Sequence, residues 1–324
     1  MVLVQRGHHS STASDSAAAT AHTSTASPAS ADAAPTDGIG KVRFGVYYLA
    51  IFIALAVSLN CVLLWLVPYG WALELAEASC DASKRYLFVI HPHGIVGFSA
   101  WLAFGADCVG FSLKNQNIDI ALATINVNFY MPFWRDLLLA LGFVDASFKS
   151  LSSVLQRKRS VAIVLGGAAE ALDSHPNTNN IILNKRKGII RLALSTGTPL
   201  VPVFIFGETD LFYQVPNPKG SLLRKVQESF LSIFKFSPPL IVGAGSFGCP
   251  VGLFPYARPL HVVTGKPIEA PHIASPTNED VVKYQAVYRK ALEKLYADHE
   301  KHYYEVILPE ALRPAKRPEL RIVA

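Results

Sequence analysis

Apolar and polar positions divide this chain into three regimes. Residues 1 to about 40 are Ser, Ala, Thr and Pro with almost no large apolar side chains. Such a segment cannot bury enough surface to offset its conformational entropy, so a disordered leader is expected. Gly45 to Val67 then run for 23 residues without a charged side chain. As a helix this segment reaches about 35 Å, enough for a hydrocarbon core of roughly 30 Å. From Tyr86 onward, short apolar runs alternate with stretches that are apolar at every third or fourth position. The runs predict strands at 86–90, 120–124, 161–165, 200–206 and 261–264. The periodic stretches predict helices at 95–104, 133–141, 148–158, 187–196, 221–234 and 278–303. This alternation specifies an α/β fold: a largely parallel central sheet flanked by helices, preceded by a membrane-embedded hydrophobic segment. The expected divisions are a leader over 1–40, a membrane segment over 41–75 and a folded domain over 76–324.

Tyr47, Tyr48, Trp65, Tyr69 and Trp71 lie near the ends of the apolar segment, where membrane interfaces favour aromatic rings. The segment either spans once or, bending at Asn60 or Pro68-Tyr69-Gly70, forms an embedded hairpin with leader and folded domain on one side. Composition agrees with a membrane partner: 17% of residues are charged, against about 25% in an ordinary soluble domain. The net charge of +6 suits an anionic partner. The cations cluster as Lys84-Arg85, Arg157-Lys158-Arg159 and Lys185-Arg186-Lys187 without interleaved aromatics. A lipid surface or a phosphate-bearing ligand therefore ranks above nucleic acid. Cys61, Cys80, Cys108 and Cys249 form no CxxC pair and no disulfide framework, which points to a reducing compartment and away from zinc.

The candidate chemistry begins with "YLFVIHPHGIVGF", where a core-type run ends on His91-Pro92-His93-Gly94. In parallel sheets, chemistry gathers at the carboxyl ends of strands. The residues alone leave four readings of the two imidazoles. They cap a turn, they bind a metal, His93-Gly94 forms part of a hydrolase oxyanion loop, or one imidazole is a general base. The metal reading needs further ligands, and His175, His261 and His272 offer no supporting spacing. The hydrolase reading has Ala244-x-Ser246-x-Gly248 as a relaxed nucleophile elbow, followed by Asp280 or Asp298 and by His299. An elbow must lead into a helix, whereas Pro250, Gly252 and Pro255 follow at once.

Two further stretches add to the picture. "VAIVLGGAAEAL" places a Gly166-Gly167 turn after a strand, with backbone N–H groups able to hold an oxyanion or phosphate, and Glu170 just beyond. Glu170 can orient an imidazole or contact an acceptor. Lys185, Arg186, Lys187 and Arg191 precede a buried strand and can meet phosphate groups.

Taken together, these blocks resemble the type-2 diacylglycerol acyltransferase family, which includes monoacylglycerol and wax-ester acyltransferases. The matching stretches are "YLFVIHPHGIVG", "NFYMPFWRDLLLALG", "VLGGAAEAL", "NKRKGIIRLALSTGTPLVPVFIFGE" and "GLFPYARPLHVVTGKPI", in the family's order. The resemblance implies transfer of a fatty acyl group from acyl-CoA to a hydroxyl of a neutral lipid, diacylglycerol first, with no bound cofactor. It places His91 and His93 in the catalytic block and assigns Pro132 and Arg135 to a P-x-x-R stretch. Gly166, Gly167 and Glu170 fall in the GGAAE block, and Lys187, Gly188 and Glu208 in later blocks. Gly94 beside His93 allows close approach of substrate. The implied setting is the endoplasmic reticulum membrane and lipid droplet, the catalytic domain facing the cytosol, with a homo-oligomer as a further partner. Ser246 hydrolysis and a monoacylglycerol or wax-alcohol acceptor are the alternatives.

Overall fold

A computed structural model describes residues 73–76, 80–81, 83–234, 239–245 and 251–323. The leader, the apolar segment 45–67 and Ser246 lie outside the described residues. Among the described residues, no helix is long and apolar enough to cross a membrane.

The strands are β1 (Leu73–Ala76), β2 (Leu87–His91), β3 (Ile120–Thr124), β4 (Val144–Asp145), β5 (Ser160–Val164), β6 (Asn179–Ile182), β7 (Leu200–Phe206), β8 (Tyr213–Gln214), β9 (Ile241–Val242), β10 (Leu260–Thr264) and β11 (Leu320–Val323). The helices are α1 (Phe98–Ala100, continued as a π-turn over Trp101–Gly105), α2 (Phe111–Lys114), α3 (Trp134–Ala140), α4 (Phe148–Gln156), α5 (Ala168–Ala171), α6 (Lys187–Thr196), α7 (Leu222–Phe234) and α8 (Asn278–His302).

Seven strands form the central sheet in the order β1-β10-β7-β2-β5-β3-β4. From β7 to β4 every neighbour is parallel. β10 runs antiparallel to β7 and carries β1 parallel to itself, so one edge is reversed. β2, β5 and β7 are the middle of the sheet and are apolar on both faces. Their alternate residues feed two cores. Leu87 and Val89 of β2 join Phe204 and Phe206 of β7 against α4, α6 and α8. Phe88 and Ile90 join Val201, Val203 and Ile205 against Ala100, Phe104 and Phe111. The period of two along each strand is what divides them.

The five predicted strands and the helices over 187–196 and 278–303 occupy their expected places, within a residue. The helix expected over 95–104 is shorter, because the chain enters it through the left-handed Gly97 (φ 73°) and α1 then widens into a π-turn. α8 starts on a reciprocal cap between Thr277 and Asp280. That cap engages one acid of the hydrolase reading, and Lys294 pairs with the other, Asp298, at 2.7 Å. On either side of residues 246–250 the chain pairs antiparallel, Gly243 with Gly252 and Ala244 with Phe254, and 251–254 are not helical.

Candidate active site

β2 delivers its last residue, His91, at its carboxyl end, between the carboxyl ends of β5 and β7. The turn that follows is held from both neighbours by buried carboxylates. From the β5 side, Glu170 Oε1 accepts the main-chain N–H of His93 at 2.5 Å, and Oε2 accepts that of Ile182 at 2.8 Å. From the β7 side, Glu208 Oε2 accepts both the N–H of Ser99, at 2.9 Å, and its hydroxyl. Gly94 sits at φ +62°, and a Cβ there would fall 2.3 Å from Glu208 Oε1. Glycine is thus required both by the backbone and by the carboxylate packed against it. Burial pushes both carboxyls up to about 7, against the pull of the N–H groups that bond them.

The two imidazoles have different surroundings. His91 is fully buried, its Nε2 3.0 Å from the Tyr288 hydroxyl of α8 and its Nδ1 without a partner among the described residues. The Tyr288 hydroxyl also lies 3.3 Å from the Val89 carbonyl. With the phenolic proton on that carbonyl, the phenol oxygen accepts the His91 Nε2–H. Burial drives the His91 imidazole down to about 3, so it is neutral at any physiological pH. His93 is half-buried, and its Nδ1 lies 3.2 Å from the Gly94 carbonyl. Donation to that carbonyl puts the proton on Nδ1 and leaves Nε2 with a bare lone pair. Among the described residues nothing bonds Nε2. Desolvation, and then the Arg186 guanidinium, hold the His93 pKa below its ordinary value.

Gly166 (φ 107°) and Gly167 (φ 66°) turn the chain from β5 into α5. A Cβ on Gly166 would lie 2.3 Å from Glu170 Oε2, and one on Gly167 3.3 Å from Arg186 Nη2. The Gly166 carbonyl accepts from Arg186, and the N–H groups of Gly166 and Gly167 make no hydrogen bond among the described residues. The turn therefore presents free donors beside a guanidinium, both within the neighbourhood of His93.

The remaining predicted residues divide. Pro132 and Arg135 are exposed in the segment after β3, at the same carboxyl edge of the sheet. Lys187 and Gly188 are exposed at the start of α6. Arg191 is engaged elsewhere: its guanidinium donates to the Pro276 carbonyl at 2.8 Å and to Asn278 Oδ1 at 2.9 Å, tying α6 to the start of α8. Glu170 accepts from two main-chain N–H groups, and Glu208 from the N–H and the hydroxyl of Ser99. Both hold the turn that carries His93.

The partners of three residues of this cluster could not be read from the sequence. Ser99 lies in the apolar stretch after the HPHG block, and Tyr288 is 197 residues from His91 along the chain. Arg186 reads in sequence as one of four cations able to meet phosphate groups. Its contacts with Gly166 and Gly167 show only in the fold. Two clefts of about 360 and 310 Å³ lie away from this cluster. The first is lined by Asp119 and Ile120 at the amino end of β3, the second by Arg85 and Pro199 ahead of β2 and β7.

Residues 61–312 match the family described as diacylglycerol acyltransferase. A diacylglycerol O-acyltransferase 2 of Dictyostelium discoideum is 40% identical over 227 residues, 69% of either chain. A human acyl-CoA wax alcohol acyltransferase 1 is 41% identical over 231 residues, 71% of this chain and 70% of its own length. Among solved structures, a 1-acyl-sn-glycerophosphate acyltransferase of Thermotoga maritima is similar with 14% identity and a TM-score of 0.38, over 81% of this chain and 85% of that one.

Proposed function

The chain belongs to the diacylglycerol acyltransferase family, and from that premise we propose a mechanism in which His93 Nε2 is the general base for acyl transfer from acyl-CoA to a lipid hydroxyl. The observation that carries this is the contrast between the imidazoles. His91 is buried on Tyr288, whereas His93 is half-buried with Nε2 unengaged.

In the reaction, Nε2 takes the proton of the acceptor hydroxyl as its oxygen attacks the thioester carbonyl carbon. The C=O π electrons move to the carbonyl oxygen, and in this reading the N–H groups of Gly166 and Gly167, unbonded among the described residues, donate to it. Such a donor typically contributes about 3–4 kcal/mol to the transition state. Collapse of the tetrahedral adduct breaks the C–S bond, and the imidazolium returns its proton to the leaving thiolate. The acyl group ends on the acceptor oxygen and coenzyme A leaves as a thiol, without a covalent acyl-enzyme. The Arg186 guanidinium supplies positive charge near the thioester and disfavours early protonation of His93.

Diacylglycerol is the proposed acceptor, giving triacylglycerol, at the endoplasmic reticulum membrane and lipid droplet with the site facing the cytosol. Purified protein in vesicles, given labelled acyl-CoA and a panel of diacylglycerol, monoacylglycerol and long-chain alcohol, tests this. The expected result is labelled triacylglycerol as main product. Free acid alone points to the hydrolase, and wax ester or diacylglycerol as main product reassigns the acceptor.

A further inference from the structure

α7 is packed with its polar side inward. Arg224 and Gln227 are buried. The Arg224 guanidinium donates to the Leu172 carbonyl at 3.0 Å and to Asp173 Oδ1 at 2.7 Å. Gln227 Oε1 accepts from Asn217 at 2.9 Å, and Asn217 reaches the Leu172 carbonyl at 3.1 Å. The opposite face carries Leu222, Val226, Phe230 and Ile233 at helical spacing, exposed by 79%, 47%, 43% and 70%. A globular helix ordinarily turns its apolar stripe to the core. None of the four belongs to either hydrophobic core among the described residues.

We propose that α7 is an in-plane anchor whose Leu222–Val226–Phe230–Ile233 face lies in the headgroup–acyl boundary of an anionic phospholipid bilayer. Charge selects that occupant. Lys225 borders the stripe and Lys219 precedes the helix, and neither ammonium makes an ion pair among the described residues. Glu228, the acid on this helix nearest to them, is already paired with Arg224 at 2.8 Å. An exposed apolar stripe edged by free lysines is the pattern of a helix lying at a membrane surface. Val96 after the HPHG turn and Tyr130 after β3 are further exposed apolar side chains. A plane of hydrocarbon covers such scattered points, whereas a single protein groove covers one helix. Because α7 is bonded to Leu172 and Asp173, directly behind the GGAAE turn, the anchor fixes the carboxyl edge of the sheet at the bilayer.

The full chain, bound to phosphatidylcholine vesicles with and without phosphatidylserine, is irradiated with a phosphatidylcholine carrying a diazirine in its acyl chain. No acyl-CoA or acceptor is present, so the result is independent of any turnover. The tryptic peptide 226–235 is expected to carry about tenfold more lipid adduct than peptide 295–301 of α8, with a further rise when phosphatidylserine is added. The double variant Leu222→Asp, Ile233→Asp leaves the polar inner face intact. It is expected to unfold at the same urea concentration and to lose most of the adduct. Equal labelling of the two peptides overturns the proposal, as does a double variant that labels like the parent. A peptide shielded both from the lipid diazirine and from a water-soluble carbene reagent is covered by protein, which also overturns it.

Discussion

The Glu170 carboxylate bonds the main chain of His93, not its ring: 2.5 Å separates Oε1 from the His93 nitrogen. The same side chain bonds Ile182 with its other oxygen, so one buried group joins the HPHG turn to β6. Glu208 grips the far side of the turn through Ser99. His93 therefore stands on a loop held by two acids that follow the flanking strands β5 and β7.

Glu170→Ala is expected to lower kcat by about 10²-fold, because small displacements of a reacting group carry costs of that order. Two buried N–H groups also lose their acceptor, at about 1–3 kcal/mol of stability each. Glu170→Gln keeps one acceptor oxygen and should retain about a tenth of the activity. Equal losses in the two variants, with an acid or base limb gone from the pH profile, would show that the carboxyl itself transfers a proton.

The histidines should separate in the same assays. His93→Ala is expected to lose about 10²–10⁴-fold in kcat with an unchanged unfolding midpoint, the range for a lost general base. His91→Ala opens a buried site beside Tyr288 and should act chiefly on stability. Tyr288→Phe, which removes the hydroxyl at 3.0 Å from His91 Nε2, should cost about 1 kcal/mol and leave kcat within a few-fold. A larger fall in kcat for Tyr288→Phe than for His93→Ala would reverse the assignment.

Five of the seven strands of the central sheet were legible because each is an apolar run of five to seven residues, a pattern that burial explains. The long helices showed their period for the same reason, as in Ile189, Ile190, Ala193 and Leu194 of α6. β4, β8 and β9 have two residues each, too few for any period to register. The reversed β10 was invisible because a strand's direction is set by the path of the preceding chain, here through β8, α7 and β9. At the site, the HPHG and GGAAE blocks were readable as strand-end glycines with titratable neighbours. The distribution of roles was not. A carboxylate that bonds an N–H looks the same in sequence as one that bonds an imidazole, and Arg191 looks the same as Arg186. Only the fold turns one guanidinium to the glycine turn and the other to Pro276 and Asn278.

Gly94→Ala is expected to abolish most activity without touching a reacting group. Its Cβ would collide with Glu208 Oε1 at 2.3 Å and would occupy a left-handed backbone. Strain of this kind costs about 1–3 kcal/mol and displaces the His93 ring next to it. Gly188→Ala is the control, because a Cβ at that position meets nothing within 4 Å. Comparable losses in the two would remove the close packing as the cause.

Arg186 should set the acid limb of the pH profile. Desolvation lowers the His93 pKa first, and the guanidinium lowers it further. Because the base must be unprotonated, a depressed pKa moves the acid limb of kcat/KM to lower pH. Arg186→Met removes the cationic contribution and should shift that limb upward, with the pH-independent plateau also reduced. An unshifted limb would mean that the titrating group is not His93.

Glu208→Gln should flatten part of the dependence of stability on pH. The unfolded carboxyl releases its proton near its ordinary value of 4.5, and burial raises the folded one to about 7. Between those values the folded chain holds the proton and the unfolded chain does not, so raising the pH favours unfolding. Below that window both forms are protonated. Above it both are ionised, and the full loss, roughly 3 kcal/mol by linkage, has accrued. Glu170 is raised to about 7 by the same cause and acts with the same sign over the same window. The Gln variant should thus lose one carboxyl's contribution between about pH 5 and about pH 7, roughly 1.4 kcal/mol per pH unit, while His91 and His93, held below their ordinary values, keep their contribution of opposite sign. Its amide oxygen can still accept from Ser99, so it should also be more stable than the parent at the upper pH, by chemical unfolding in one detergent. A slope identical to the parent's would place the Glu208 carboxyl in water rather than against Gly94.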